Sequence, residues 1–213
     1  MLSAAEINSS FYRSHAPATY RRWAASTPEH FRFAVKVPKR ITHEQGLRDA
    51  DELFARFLDE SDGLGDRRGP LLVQLPPSAA FDRVVASCFF AMVRRQYQGP
   101  VVCEPRHATW STAPAIDLML EHRVSGVAAD PSRVPEAGEP SGWPRLVYFR
   151  WHGSPRVYWS SYDTGALARL AARVRDRVGD ADVWCIFDNT ASGAAIENAW
   201  ELQSALFPAA PDP

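Results

Sequence analysis

Short apolar runs recur along the chain, and each of them stops at a polar or charged residue. There are seven such runs: AEINSSFY, FRFAVKVP, LLVQLPP, VVCEPRH, GVAADP, LVYFRWHG and VWCIFDN. Continuous runs rich in Val, Ile, Leu and Phe are typical of strands buried on both faces, as in parallel sheets covered by helices. In such folds the ligand binds at the carboxyl ends of the strands, where these polar residues fall.

Segments with helical spacing of apolar residues separate the runs. This spacing predicts helices over residues 16–26, 47–60, 79–97, 113–123, 163–178 and 193–206. Asp163 is the predicted N-cap of the helix over 163–178. The connection between Asp130 and Arg150 breaks the alternation, because residues 131–144 are rich in Pro and Gly. There we expect a loop that crosses the mouth of the site.

Two folds fit seven parallel strands that alternate with helices: an open doubly wound sheet and a β/α barrel. No glycine-rich dinucleotide turn or phosphate-binding loop follows any strand. Polar residues end every strand, and only a closed barrel turns all strand ends toward one mouth. We therefore predict an α/β fold, a TIM-barrel-like parallel barrel in a single domain of residues 1–213. Such barrels typically need roughly 250 residues, which leaves room for one missing βα unit at the N-terminus.

Composition narrows the class of protein. With 46% hydrophobic and 23% charged residues, the chain is typical of a globular domain. Its net charge of −1 does not favour nucleic acid as a partner, although nucleic acid stays possible. No apolar stretch approaches the ~20 residues of a membrane span, and the N-terminus lacks a signal peptide. We expect a soluble, cytoplasmic protein. Cys88, Cys103 and Cys185 form no CxxC pair and are expected to be small buried hydrophobic residues.

The first two predicted strands contribute three candidate site residues. Glu6 and Asn8 alternate along one strand and therefore share a face. Glu6 suits a base, an acid, a metal ligand or a structural ion pair with Lys36 or Arg150. Lys36 lies inside the apolar stretch FAVKV, where an unpaired ammonium is costly. Anion binding or ion pairing is its expected role, and Schiff-base chemistry is the alternative.

The densest group of candidates follows the fourth run. Glu104 and Arg106 share a face at the strand end, and His107 lies just beyond them on the loop. This arrangement suits an acid or base next to a clamp for an oxyanion or phosphate. The structural alternative is an Arg–carboxylate pair that braces the barrel.

The last two runs repeat this alternation. Arg150 and His152 share a face of the sixth run. Asp188 and Asn189 end the final strand, and the small-residue stretch TASGAA follows them. A phosphate could bind at the N-terminus of the helix that begins there. The predicted catalytic residues are Glu104, His107, His152 and Asp188. The predicted substrate-binding residues are Glu6, Asn8, Lys36, Gln74, Arg106, Arg150 and Asn189.

Metal binding and aromatic stacking are weaker hypotheses. Residues of the right type for a metal are Glu6, Glu104, His107, Asp130, His152 and Asp188. Three cations compete with a metal in the same mouth, so no metal site is assigned and the cofactor stays unknown. His43 is a minor candidate. The aromatic residues that could stack on a sugar or base, or simply pack, are Tyr12, Trp110, Trp151, Tyr158 and Tyr162.

The phrases EINSSFYR, FRFAVKVPKRITH, GPLLVQLPPS, EPRHATW, VYFRWHG and FDNTASGAAIENA resemble the YecE-like family, also called domain of unknown function 72. The resemblance runs over nearly the whole chain. It implies a TIM-barrel fold and no established activity. It also implies an additional first strand and helix with a GTSGW-like segment, which this sequence lacks. An upstream start site, a shortened chain and a barrel of seven strands all remain open.

These observations lead to three functional hypotheses. The first is an enzyme of hydrolase, lyase or isomerase type that acts on a small polar substrate, anionic or sugar-like, at the C-terminal mouth of the barrel. The second is a metal-dependent phosphoesterase or nuclease-like enzyme. The third is a ligand-binding or scaffold protein without turnover.

Overall fold

The apolar runs form the parallel strands of one curved sheet. The computed structural model describes residues 2–207, and its strands are β1 (Ala4–Ile7), β2 (Arg32–Lys36), β3 (Arg68–Gln74), β4 (Val101–Glu104), β5 (Val124–Asp130), β6 (Ser141–Gly142), β7 (Leu146–Trp151) and β8 (Asp182–Phe187). They pair in the order β1-β2-β3-β4-β5-β7-β8, parallel throughout. The prediction of a parallel β/α barrel is confirmed, with seven strands that nearly close.

Helices flank the strands as the spacing of apolar residues predicts. They are α1 (Pro17–Ala25), α2 (Asp51–Ser61), α3 (Arg83–Gln96), α4 (Ala113–Glu121), α5 (Thr164–Arg175) and α6 (Ala194–Leu206). The predicted cap is confirmed, because the Asp163 carboxylate accepts a hydrogen bond from the backbone N–H of Ala166 at 2.7 Å. None of the helices within residues 2–207 is long and apolar enough to cross a membrane.

Two helices begin later than predicted, for local reasons. Helix α2 starts at Asp51 and not at residue 47, because Leu47 and Asp49 have left-handed backbone angles, with φ of 70° and 49°. Helix α3 starts at Arg83, after Asp82 accepts hydrogen bonds from two N–H groups of the first turn. The predicted domain covers residues 1–213, of which residue 1 and residues 208–213 lie outside the described residues.

Side-chain alternation along the strands produces two layers inside the barrel. The lower layer is apolar and consists of Ala34, Leu72, Val102, Val127, Leu146, Tyr148 and Ile186. Two residues further along five of these strands come Lys36, Gln74, Glu104, Arg150 and Asp188. Since residues i and i+2 of a strand point to the same face, the polar side chains form the layer directly above, at the carboxyl ends.

The connection after β5 contains no α-helix, as its Pro and Gly content predicts. It includes a 3-10 turn at Pro135–Gly138, and then β6 pairs with β5 in the antiparallel direction. Arg173 of α5 ties this loop down by donating hydrogen bonds to the Gly138 carbonyl at 2.6 Å and the Glu139 carboxylate at 2.9 Å. The loop is therefore held over one side of the barrel mouth.

The first and last strands of the barrel face each other across an opening. Among residues 2–207, no backbone ladder joins β1 to β8. A groove of about 710 Å³ lies between them, and residues of α6 line its outer side. The barrel is therefore open at the seam between β1 and β8.

The cysteine prediction is wrong for one of the three residues. Cys103 on β4 is buried and Cys185 on β8 is half-buried, but Cys88 is exposed. The inward face of α3 is occupied by Phe89, Phe90 and Val93, which leaves Cys88 on the solvent side of the helix.

Candidate functional site

The guanidinium of Arg150 lies at the centre of the barrel mouth, where the side chain is only 1% exposed. Its Nη2 donates to Glu6 Oε1 at 2.7 Å and to Asp188 Oδ2 at 2.8 Å, and its Nη1 donates to Glu104 Oε2 at 3.1 Å. Burial opposes the charge, but Glu104 and Glu6 outweigh it and hold the pKa of Arg150 well above its ordinary value. One permanent cation thus joins β1, β4, β7 and the residue after β8.

Glu104 accepts hydrogen bonds from four side chains within the mouth. Besides Arg150, its carboxylate accepts from Gln74 Nε2 at 3.0 Å, Arg106 Nη2 at 3.1 Å and His152 Nε2 at 3.2 Å. Burial would raise the pKa of Glu104, but Arg150 and then His152 hold it well below the usual range. A carboxylate in this state stabilises positive charge and has little tendency to take up a proton.

His152 is held between two carboxylates. Its Nδ1 lies 3.2 Å from Asp188 Oδ2 and its Nε2 lies 3.2 Å from Glu104 Oε1. Burial lowers the pKa of His152, but the hydrogen bonds to Asp188 and Glu104 outweigh burial and raise it. Both nitrogens have a carboxylate acceptor, which favours the imidazolium form, and Arg150 Nη1, at 3.3 Å from Nδ1 and 3.2 Å from Nε2, opposes it.

Replacing His152 with asparagine is expected to destabilise the protein more at about pH 6 than at about pH 9. The folded pKa of His152 is raised, so the stability from its proton is fully present below the unfolded value of about 6.5 and is lost as the pH rises through the folded pKa. The difference in melting temperature between H152N and wild type should shrink across that range.

The exposed His30 provides the control, since H30N should change the melting temperature little at any pH. If the cost of H152N is the same at both ends of the pH range, His152 is not held in its charged form.

Lys36 differs from the other cations because it has no carboxylate partner. It ends β2, is 6% exposed, and places Nζ 4.2 Å above the centre of the Phe11 ring. No carboxylate of the described residues lies within 4.0 Å of Nζ. Burial, and then the charge of Arg150, lower the pKa of Lys36 to about 8.

His43 lies beside Lys36, which gives this minor candidate a place at the site. Its ring packs edge-on against Phe11 at 5.0 Å, and its Nδ1 lies 2.9 Å from Thr42 Oγ1. Burial lowers the pKa of His43, and the charges of Lys36 and then Arg106 lower it further. His43 is therefore a neutral neighbour of two cations.

A small pocket of about 230 Å³ opens on the Glu104 side of the mouth. Glu104, Arg106 and His152 contribute its polar floor, and the loop after β5 contributes Ser132 and Arg133. The side chain of Arg106 is 23% exposed, so part of its guanidinium remains accessible to a ligand. The pocket offers two guanidinium groups and a histidine to a small polar molecule.

The structure brings most of the predicted site residues together. Hydrogen bonds join Glu6, Asn8, Gln74, Glu104, Arg106, Arg150, His152 and Asp188. Lys36 is close enough for charges on this group to shift its pKa. The strand ends therefore converge on one mouth, as the barrel predicts.

Two predicted residues lie outside this group. His107 caps the short helix Ala108–Ser111, with its Nδ1 accepting a hydrogen bond from the Thr109 N–H at 3.3 Å. The amide nitrogen of Asn189 donates to the Ser160 carbonyl at 3.0 Å and to Asn198 Oδ1 at 2.9 Å. These contacts give both side chains a structural role in the loops behind the mouth.

The aromatic candidates divide by burial. Trp110, Trp151 and Tyr162 are buried, whereas Tyr12 and Tyr158 are exposed. The Tyr158 ring packs edge-on against His152 at 5.8 Å, and its hydroxyl contributes, after Glu104, to the raised pKa of Arg106. Of these rings, Tyr158 is therefore the one that contacts the charged group.

Sequence reasoning missed three contributors to the site. Tyr148 donates a hydrogen bond from its hydroxyl to Glu6 Oε2 at 2.8 Å, and Phe11 lies under Lys36. Arg133 reaches the pocket from the loop. Tyr148 could have been found, because it alternates with Arg150 and His152 on one strand face. No local signal marks Phe11 or Arg133, since each reaches the mouth from a loop or turn.

The acidic residues of the mouth are engaged by cations. Among residues 2–207, no group of three His, Cys, Asp or Glu side chains is arranged to hold a metal ion. Asp130, the remaining acidic candidate, accepts a hydrogen bond from the Tyr162 hydroxyl at 2.7 Å. Its carboxylate thus anchors the segment after β7.

Comparisons with known proteins agree with this architecture. The model of the family described as "Protein of unknown function DUF72" matches residues 1–212. The UPF0759 protein YecE of Escherichia coli K12 is 37% identical over 71 residues, which cover 33% of this chain and only 26% of YecE. A solved DUF72 family protein from Enterococcus faecalis V583 superposes with a TM-score of 0.82 and 23% identity, covering 100% of this chain and 88% of that chain. One from Thermotoga maritima MSB8 gives 0.76 and 23%, covering 96% and 85%.

Proposed function

The chain belongs to the DUF72 family, and we propose that its barrel mouth is the active site of an enzyme that acts on a small polar, anionic substrate. The reaction is of hydrolase, lyase or isomerase type. The substrate binds where the parallel strands end, in the pocket bordered by Glu104, Arg106 and the loop after β5.

The observation that carries this proposal is the pair of guanidinium groups that line the pocket, those of Arg106 and Arg133. The three carboxylates of the mouth, Glu6, Glu104 and Asp188, are already engaged by Arg150. Arg106 is 23% exposed, so part of its charge faces the pocket. A concave site lined by cationic groups attracts anions and raises their local concentration.

A purely structural network does not account for Lys36. A buried ammonium without a carboxylate partner is costly, and groups with perturbed pKa values of this kind cluster at functional sites. The partly exposed guanidinium of Arg106 and the neighbouring Arg133 add donors in the geometry that carboxylates and phosphates accept. These features favour an active site over a scaffold.

A thermal-shift screen tests the binding part of this proposal. At a concentration of 100 times its Kd, a ligand that binds the folded state adds about 2.7 kcal/mol of stability, which is measurable as a rise in melting temperature. The panel contains phosphate, sugar phosphates, oxo acids and neutral sugars. We expect anions to raise the melting temperature, and Arg106→Gln to weaken their binding about tenfold or more.

Arg95 provides the matched control, because it is an exposed arginine that pairs with Asp51 on the helical surface. R95Q should bind the same anions as wild type. Turnover assays on the binding compounds then test the reaction. If neutral sugars shift the melting temperature and anions do not, or if R95Q and R106Q lose affinity equally, the proposal is wrong.

A further inference from the structure

Lys36 is chemically unusual in this chain. The sequence has only two lysines, Lys36 and Lys39, among 24 Lys and Arg residues. Lys39 is exposed and pairs with Glu44 at 3.1 Å. Every other cation of the mouth is an arginine or a histidine, and an arginine cannot act as a nucleophile because its guanidinium keeps its proton. Lys36 is therefore the one primary amine side chain at this site.

The surroundings of Lys36 make its neutral amine easier to form than that of an exposed lysine. The ammonium lies against the face of Phe11 and has no hydrogen bond or ion pair with the described residues. The charged and titratable groups that face it come from every neighbouring element: Glu6, His43, Glu104, Arg150 and Asp188. Burial and Arg150 outweigh the carboxylates, which lowers the pKa of Lys36 to about 8.

We infer that Lys36 forms an imine with the carbonyl group of a small aldehyde or ketone that carries a carboxylate or phosphate. This inference rests on the proposed function and specifies its substrate class. The anionic part of such a molecule binds near Arg106 in the pocket that Glu104 lines. Lys36 is not a lining residue of this pocket, but it lies close enough for the charge of Glu104 to act on its pKa.

The covalent step needs no oxidant, reductant or metal. The lone pair of the neutral amine attacks the carbonyl carbon, and the π electrons of the C=O bond move to oxygen, which takes up a proton. The resulting carbinolamine loses its hydroxyl group as water while nitrogen releases its proton and forms the C=N bond. One amine and one carbonyl therefore give one imine and one water.

Solvent supplies and takes up these protons, and Asp188 is the carboxylate of the cluster most open to solvent. Burial raises the pKa of Asp188, but the hydrogen bond with His152 and the charge of Arg150 outweigh burial and lower it. The Asp188 side chain is 13% exposed, and its Oδ1 forms no hydrogen bond with the described residues. An iminium withdraws electrons from the neighbouring carbon, so bonds to that carbon become easier to break. The inference therefore selects lyase or isomerase chemistry over hydrolysis.

Reductive trapping tests the inference directly. The full chain is incubated near neutral pH with glyoxylate, pyruvate or glycolaldehyde phosphate in the presence of sodium cyanoborohydride, and the adduct is located by peptide mass mapping. The lowered pKa gives Lys36 on the order of 10² more neutral amine at about pH 7 than an ordinary lysine has. We expect Lys36 to be modified at least about tenfold faster than Lys39. The two oxo acids and the phosphate compound distinguish which anionic group the site prefers.

Two conservative variants provide the controls. K36R should remove the fast adduct and keep the fold, because it preserves the charge, whereas K39R should leave the fast adduct unchanged. The rate of trapping should rise with pH around a midpoint near 8. Equal modification of Lys36 and Lys39, or a fast adduct on a side chain that persists in K36R, would overturn the inference. The N-terminal amine, with an ordinary pKa of about 8, is followed separately in the peptide map.

The outcome also separates this inference from the proposed function. If anions raise the melting temperature in an Arg106-dependent manner but no carbonyl compound is trapped on Lys36, the anion site stands and the imine is wrong. If anions do not bind at all, the proposed function is wrong. Adduct formation on Lys36 that phosphate or acetate does not slow is then non-specific labelling.

Discussion

Replacing Arg150 with methionine is expected to lower the free energy of unfolding by about 3–5 kcal/mol. The substitution removes the cation that holds Glu6, Glu104 and Asp188 at 2.7–3.1 Å and leaves their negative charges buried close together. Urea denaturation followed by circular dichroism measures the loss. The midpoint should fall with little change in slope, because the same surface becomes exposed on unfolding.

The exposed Arg95 again provides a control, and R95M should change stability by no more than about 0.5 kcal/mol. If R150M does not fold, the double variant R150M/E104Q gives a second measurement. Removing one of the orphaned charges should recover part of the loss, because residues in one network couple strongly. A loss below about 1 kcal/mol in R150M would show that Arg150 does not organise the mouth.

Replacing Lys36 with methionine is expected to have the opposite effect and to raise the free energy of unfolding by about 1–3 kcal/mol at neutral pH. The pKa falls from 10.5 to about 8 on folding, so the folded state disfavours the ammonium. Above the unfolded pKa of 10.5 the amine is neutral in both states, so Lys36 carries no penalty there and its stabilising contribution is fully present. As the pH falls through about 8, the folded protein must hold an ammonium, and this contribution is lost. Loss of the contact with Phe11 removes part of the gain.

The same denaturation experiment, repeated across pH, checks the sign. The advantage of K36M should be largest near pH 7 and should fade as the pH approaches 10.5. K39M provides the control, because Lys39 is exposed and its pairing with Glu44 is a surface ion pair of little energetic value. A K36M variant that is less stable than wild type near pH 7 would show that the ammonium is well accommodated.

These two expectations describe different roles for neighbouring cations. Arg150 stabilises the fold, since its donors satisfy three carboxylates from different parts of the barrel. Lys36 destabilises the fold, and a group of this kind is typical of functional sites, where stability is given up for activity. The contrast explains why we place the chemistry on Lys36 and the support on Arg150.

The structure also changes the roles expected for two predicted catalytic residues. Glu104 is ionised and accepts hydrogen bonds from four side chains, and both nitrogens of His152 face carboxylates. Most of the hydrogen bonds to Glu104 fall on Oε1, and Oε2 accepts only from Arg150 among the described residues. We expect Glu104 and His152 to position Arg106, Asp188 and Arg150.

Much of the fold follows from patterns that are local in the sequence. Buried strands reveal themselves as apolar runs, and helices reveal themselves by the spacing of their apolar residues. The helix starts that sequence reasoning misplaced depend on Asp82 and Leu47, where a cap or a left-handed residue ends the preceding turn. Such boundaries depend on backbone geometry that apolar spacing does not encode.

Most residues of the candidate site could be predicted for the same reason. Lys36, Gln74, Glu104 and Arg150 each lie two residues beyond an apolar residue on the barrel axis, so strand periodicity places them at the mouth. His107 lies beyond the end of its strand, where periodicity no longer applies. The orientation of its side chain is set by the short helix that it caps in the same loop. Alternation along a strand cannot predict such an orientation.

The sequence by itself determined that strands and helices alternate, that the strands are parallel, and that polar and charged side chains lie at the carboxyl ends of the strands. Only the tertiary structure decided how those charges pair. Arg150 meets Glu6 across 144 positions of the chain and takes all three carboxylates, while Lys36 takes none. Ion pairing depends on distances of a few Å across the barrel axis, and these are set by strand register and closure rather than by any local pattern of residues.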